Sequence, residues 1–559
     1  MNWKLCLASA AITVLLTACG LKQQDAAKSA QEAIEVAGAR VAADAQQMQK
    51  RAVAAPMSAL MSPPPFLEIP ENRENYQNID DNAVKVVARE PVSTFSIDVD
   101  TGAYSNMRRF LRSGALPPAD AIRVEELINY FPYADSAQKT RHPFTVQTEL
   151  APSPWHEGNQ LLRVRIKAID DKTGTMPASN LVFLVDVSGS MNSPDKLPLV
   201  QATLKMLARQ MRAQDRIALV VYAGRTHVEL ESTPGNDQEK ILAAIDRLTA
   251  GGSTAGEAAM TLAYQQTRAG FIKGGINRIL MATDGDFNVG LSDVDQLKDM
   301  VERERATGVS LTMLGFGTGN YNDALMEQLA DVGNGNFAYI DSVDEGRKVL
   351  VEELSSTLNT VASDVKLQIE FNPAKIAEYR LIGYENRMLK EEDFNNDKID
   401  AGEIGAGKTV TALYELTPVG GKTLHEPRRY DDKTHDDKTN ENQASKPVPA
   451  VSNELAFLRI RYKPPGANDS TLLTHPVTPD QAKQKLTDAS ADFRFAAAVA
   501  GFGQLLRGGK YLGSYQHNDI VTLAQSGLDN DDGGYRREFI RLAQIARELT
   551  PQTPAALSH

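Results

Sequence analysis

The residues best suited to chemistry lie in LVFLVDVSGSM, Leu181 to Met191. An apolar run ends at Asp186 and brings one carboxylate and two hydroxyls, Ser188 and Ser190, to the mouth of what reads as a buried strand. Two chemistries use such a set. A nucleophilic serine needs a base, usually His with an orienting carboxylate. None of the eight His falls in this stretch or in the two that should converge with it, and His227 opens an edge-strand segment. A hard divalent cation needs oxygens alone. The oxygens point to Mg²⁺ or Mn²⁺.

Two further stretches should reach the same place. In GGSTAGEA, Thr254 opens a helix; in LMATDGDFN, Asp284 closes a strand. Open α/β sheets bind ligands beyond the carboxyl ends of their strands, where strand order reverses. Two neutral hydroxyls beside a cation leave it electrophilic while the carboxylates orient waters. An open coordination position then accepts an anionic oxygen, such as a partner's Asp or Glu. The plainer alternative, Asp186 and Ser188 as helix caps, leaves Thr254 and Asp284 unexplained. Asp286 and Asn288 flank the site as outer candidates.

The elements that must position these residues alternate. Apolar strand runs such as LVFLVDV, RIALVVYAG, RILMATD and SLTMLGFG are interleaved with amphipathic helices over residues 179–356. Continuous apolar strands between helices predict an α/β fold, a doubly wound, mostly parallel sheet covered on both faces. Asp186-x-Ser188-x-Ser190, Thr254 and Asp284 together resemble the metal-ion-dependent adhesion site of von Willebrand factor type A domains. That resemblance implies direct coordination by Ser188 and Ser190. Thr254 would coordinate directly or through water, and Asp186 and Asp284 mostly through water. It also implies a protein partner that offers a carboxylate.

Around this block, 90–178 reads as an α+β flanking region, 357–470 as β-rich with a polar loop over 421–448, and 471–559 as helical. The strands before and after the central block are expected to pair into one sandwich with that block inserted. At the N-terminus, MNWKLCLASAAITVLLTAC carries an apolar run too short to span a bilayer and resembles a lipoprotein signal, 1–18, with Cys19 as the lipidated first residue. In that family Gly20 after the cysteine implies the outer membrane. Residues 19–89 read as an Ala/Pro-rich tether, with order beginning near Pro91. The only cysteines are Cys6 and Cys19, so no thiol chemistry remains for the mature chain. A net charge of −12 speaks against a general nucleic-acid binder.

Three motifs imitate other functions. GEIGAGKT, Gly402 to Thr409, has the letters of a phosphate loop, but the strand-like TVTALYEL follows it where a helix is needed. It reads as a glycine turn in a hairpin, with no nucleotide. DFNNDKID lacks the glycine and the glutamate of a calcium loop. DVDTGA has no second copy to make an aspartic protease, and Thr101 or Asp100 is expected to cap the helix behind it. Asp531 or Asp532 should cap the last helix. The sequence therefore predicts a lipid-anchored envelope protein, not an enzyme, that binds a protein partner through a divalent metal. The rival expectation is a scaffold whose flanking regions make the contacts.

Overall fold

The computed structural model describes residues 73–134, 140–170, 176–252, 256–285, 294–426, 428, 453–529 and 531–551. The signal, Cys19, the tether up to residue 72, Thr254, Asp286, Asn288 and most of the polar loop lie outside the described residues.

In chain order the first elements are β1 (Lys85–Val86), β2 (Val92–Ser96), α1 (Gly102–Arg112), α2 (Val124–Asn129), β3 (Phe144–Pro152) and β4 (Gln160–Ala168). The central block holds β5 (Ser179–Asp186), α3 (Leu197–Ala208), β6 (Arg216–Tyr222), β7 (Thr226–Pro234), α4 (Gln238–Asp246) and α5 (Gly256–Ala269). It continues with β8 (Ile276–Thr283), α6 (Val294–Arg305), β9 (Ser310–Phe316), α7 (Asp323–Val332), β10 (Phe337–Ile340), α8 (Val343–Arg347) and α9 (Leu354–Leu358). Then come β11 (Thr360–Phe371), β12 (Ile376–Ile382), β13 (Ile404–Gly405), β14 (Thr409–Pro418), β15 (Ala456–Lys463) and β16 (Thr471–Val477). The helices α10 (Ala491–Leu506), α11 (His517–Ser526) and α12 (Tyr535–Leu549) close the described chain.

The central sheet has the order β10-β9-β8-β5-β6-β7, parallel except for the antiparallel edge strand β7. Its inner strands are largely apolar because helices bury both faces, whereas the edge strand β7 is polar and partly exposed. Successive residues of β5 alternate between them. Leu181, Phe183 and Val185 enter one core with Leu204 and Ile241, while Val182 and Leu184 enter the other with Met260 and Leu329. The α/β doubly wound class is therefore the observed one. β5 lies between β6 and β8, so strand order reverses at its carboxyl end.

Strands from both sides of this block build two antiparallel sheets. One has the order β1-β12-β14-β4-β3; the other runs β13-β11-β15-β16, with β2 also on β11. Their inner faces share a core that includes Phe95, Val164, Ile369, Leu381, Tyr414 and Leu458. The block is thus inserted between β4 and β11 of a sandwich. Helix α10 is buried without a break from Phe495 to Gln504, a stretch apolar all round but for Gln504. With α1, α2, α11 and α12 it forms a fourth core, whose aromatic rings meet edge to face, Phe131 on Phe495 at 4.8 Å and Phe495 on Phe539 at 5.4 Å.

Four expectations need correction. The tether does not run to residue 89: Arg73 N–H donates to the Gly319 carbonyl at 2.8 Å, Asn75 N–H to Tyr321 at 2.9 Å, and β1 pairs with β12. The 471–559 region opens with a strand, β16, on the sandwich edge. GEIGAGKT is no hairpin, because β13 joins one sheet and β14 the other. The turn between them needs Gly407 at φ +74° to reverse the chain over so short a span. Finally, Thr101 sits at the cap of α1 without a side-chain bond, and Asp100 instead accepts the Phe337 amide at 2.9 Å. Asp531 does accept two amides of the last helix, from Arg536 at 2.9 Å and Arg537 at 3.1 Å.

Candidate metal centre

Asp186, the last residue of β5, is fully buried at the switch point. Its Oδ1 accepts the Ser188 amide at 2.8 Å and its Oδ2 the Thr283 hydroxyl at 3.1 Å. Both bonds fix the carboxylate at the strand end. Burial, helped by the Asp284 charge and opposed by these bonds, pushes the Asp186 carboxyl up to about 6. A carboxylate so placed gains from a nearby cation.

Past Asp186 the chain makes a tight turn over Gly189–Asn192 before α3 begins at Leu197, so Asp186 and Ser188 do not cap that helix. Ser188 Oγ and Ser190 Oγ stand 3.0 Å apart, the first buried and the second exposed. Adjacent ligands of an octahedral Mg²⁺ at about 2.1 Å are separated by about 3 Å, so this hydroxyl pair fits a cation. The Gly189 amide donates to Gly252 at 3.0 Å and the Gly251 amide to Val187 at 2.7 Å. The chain leading to Thr254 therefore reaches this edge, although Thr254 itself is outside the described residues.

Asp284 follows β8 directly and is fully buried. Its Oδ2 accepts from Lys196 Nζ at 3.0 Å and from Asn320 Nδ2 at 3.2 Å. Lys196 Nζ also donates to Asn320 Oδ1 at 3.1 Å. Sequence reasoning missed Lys196, Asn320 and Thr283. One signal was available. Lys196 occupies the cap position of α3, where a cation opposes the helix dipole and must be held by something else.

Asp186, Ser188, Ser190 and Asp284 are thus brought to one edge, two by oxygen-to-oxygen contact and two by adjacent strand ends. His227 is exposed, beside Glu229 on the edge strand β7. DFNNDKID holds ordinary turn bonds, with the Lys398 amide on Asn396 Oδ1 at 3.0 Å.

A second gathering of carboxylates joins the central block to its flanks. Oxygens of Asp98, Glu126 and Glu327 lie within 4.8 Å of one another, all buried. Most of their acceptors are already engaged, Glu327 Oε2 being without a hydrogen bond. Glu126 takes the Ala103 amide at 2.7 Å and the Arg123 guanidinium. Asp98 takes the Asp100 amide at 2.8 Å and Arg387 at 3.3 Å. Glu327 takes Asn386 at 2.5 Å and Arg387 at 3.3 Å, and it faces Arg123 at 3.4 Å. Arg123 also pairs with Asp323 at 2.5 Å. This is an ion network between elements.

A six-stranded, mostly parallel sheet with Asp-x-Ser-x-Ser at its switch point, and an Asp closing the neighbouring strand, defines a von Willebrand factor type A domain protein. The family model described as "von Willebrand factor type A domain" matches residues 180–353, "von Willebrand factor" matches 70–163, and "Uncharacterized protein YfbK, C-terminal" matches 356–549. Within that class the chain belongs to the YfbK family. It is 50% identical over 483 residues to "Uncharacterized protein YfbK" of Escherichia coli (strain K12), over 85% of this chain and 81% of that protein. Inter-alpha-trypsin inhibitor heavy chain H3 of Homo sapiens is 26% identical over 262 residues, 42% of this chain and 28% of that protein. The solved "von Willebrand factor type A from Catenulispora acidiphila" aligns with a TM-score of 0.42 at 13% identity, over 75% of this chain and 93% of that one.

Proposed function

We propose that the protein binds a partner protein through a divalent cation, Mg²⁺ or Mn²⁺, held by Asp186, Ser188, Ser190, Thr254 and Asp284. The observation that carries this is the hydroxyl pair of Ser188 and Ser190, 3.0 Å apart beside the buried Asp186 at the sheet's switch point. When bound, the cation supplies an electrophilic position for one anionic oxygen. The chain's part is to orient: Asp186 is pinned by Ser188 N–H and Thr283 Oγ1, and exposed Ser190 opens the edge to solvent. The role is capture, without turnover. Cys19 anchors the protein to the cell envelope through lipid, at the outer membrane.

The test is calorimetric titration of the purified chain with Mg²⁺ and Mn²⁺, alongside Asp186→Ala and Ser188→Ala. Saturable binding lost in both variants is expected; binding unchanged in both rejects the site. A scaffold role for the domain is the second reading, and a specific weld favours it. Arg108 of α1 pairs with Asp341 and Glu345 of the central block, at 2.5 and 2.7 Å, and with Glu538 of α12 at 3.2 Å. Partner binding that survives chelation of the metal would select that reading.

A further inference from the structure

Lys196 is an unusual tenant for a cation site. Its side chain is 7% exposed and its ammonium lies 3.0 Å from Oδ2 of Asp284, one of the carboxylates that should serve the metal. The position is built for it. Gly317, at φ +74°, leaves the space that the lysine stem fills: a Cβ there would lie 2.3 Å from Lys196 Cγ and Cε. Asn320 receives the ammonium through Oδ1 and donates through Nδ2 to the same Asp284 oxygen. The loop carrying Asn320 is fixed by the segment 73–75 and by the edge strand β10. Arg73 N–H and Asn75 N–H bond to Gly319 and Tyr321, Glu74 Oε1 accepts the Gly319 amide at 3.0 Å, and Tyr339 Oη donates to Gly317 at 2.8 Å.

Charge counting gives the consequence. Asp186 and Asp284 alone present two negative charges, which a divalent ion would cancel. With Lys196 they present one, so the loaded site keeps a positive charge. In a partly buried site such a difference acts strongly on both the cation and any charged ligand. We propose that Lys196 is a built-in counter-cation that weakens the site's hold on its metal and strengthens its demand for an anionic partner oxygen. The proposal rests on the metal-site reading above. It makes the metal and the partner's carboxylate mutually dependent: the cation is held loosely until the anion arrives.

The experiment titrates the whole chain with Mn²⁺ by calorimetry, and by the paramagnetic resonance signal of free Mn²⁺. Wild type is compared with Lys196→Gln, Lys196→Arg and Asn320→Asp. Lys196→Gln is expected to bind Mn²⁺ at least about tenfold more tightly, and Lys196→Arg to stay near wild type. Acetate, the simplest carboxylate, should perturb the bound Mn²⁺ signal at lower concentration in wild type than in Lys196→Gln. Asn320→Asp adds a negative charge without changing shape, and should tighten Mn²⁺ binding even if the lysine variants fail to fold. Wild-type binding with no tightening in whichever of Lys196→Gln and Asn320→Asp folds overturns this proposal alone. Loss of Mn²⁺ binding from wild type and every folded variant overturns the metal-site reading beneath it.

Discussion

Two regions of this protein collect carboxylates, and they use them in opposite ways. At the switch edge, two buried aspartates stand with two serine hydroxyls, one of them open to solvent. At the junction, Asp98, Glu126, Asp323 and Glu327 are buried around Arg123 and Arg387, the Tyr321 hydroxyl is already donated to Asp323, and little is left to offer. By separation alone the junction looks the better metal site, since three of its oxygens lie within 4.8 Å. By donor supply the edge is better. Proximity of carboxylates therefore identifies a buried charge cluster; uncommitted neutral oxygens facing solvent identify a place for a cation.

The largest effect should come from breaking the junction. Arg123→Leu takes from buried Glu126 and Asp323 the arginine that pairs with them and leaves Glu327 with Arg387, so unfolding free energy by denaturant should fall by about 3–5 kcal/mol. Junction stability should also depend on pH. Burial, with neighbouring carboxylates, pushes Glu126 up to about 8 and Glu327 up to about 7, against the pull of Arg123 and, for Glu327, Arg387. Folded values above the ordinary glutamate value of 4.5 mean that the folded state binds more protons over that span. Their contribution is full below pH 4.5 and is lost as pH rises through 7 to 8. Melting temperature should decline from pH 5 toward 8 along this term, and Glu327→Gln should flatten the decline. Glu353 works oppositely. Against the cost of burial, Lys348 and Lys408 hold it down to about 2, so its contribution is lost only in acid.

At the edge the pattern should invert. Ser188→Ala should abolish saturable Mg²⁺ binding yet shift stability by no more than about 1 kcal/mol, since its hydroxyl partner Ser190 is exposed and can turn to water. Smallest of all is the effect of a chelator on Ser188→Ala, whose melting temperature should not move. A drop there would mean that the junction holds a cation after all, and the contrast between the two regions would fail.

Much of this was legible from local pattern. Alternating apolar runs predicted the doubly wound sheet because strand and helix periodicities are written residue by residue. Asp186, Ser188 and Ser190 were legible because a carboxylate and hydroxyls ending an apolar strand must sit at the sheet's edge. The sandwich with its inserted block was legible from the strand-like segments on both sides, and strands of both groups do share each sheet. Which strands paired, and the crossing of GEIGAGKT between two sheets, came from contacts across the whole chain.

Charge was the least legible feature. Asp98, Arg123, Asp323 and Arg387 carry no mark in the local sequence, because nothing local reports that partners hundreds of positions away will bury them. Lys196 and Asp284 are 88 residues apart, and only the packing of α3 against the end of β8 joins them. The sequence by itself determined the α/β class and the oxygen-bearing strand end, since both follow from neighbours along the chain. The tertiary structure alone decided which charges lose water and what pairs with them, because desolvation depends on what the fold places around a side chain.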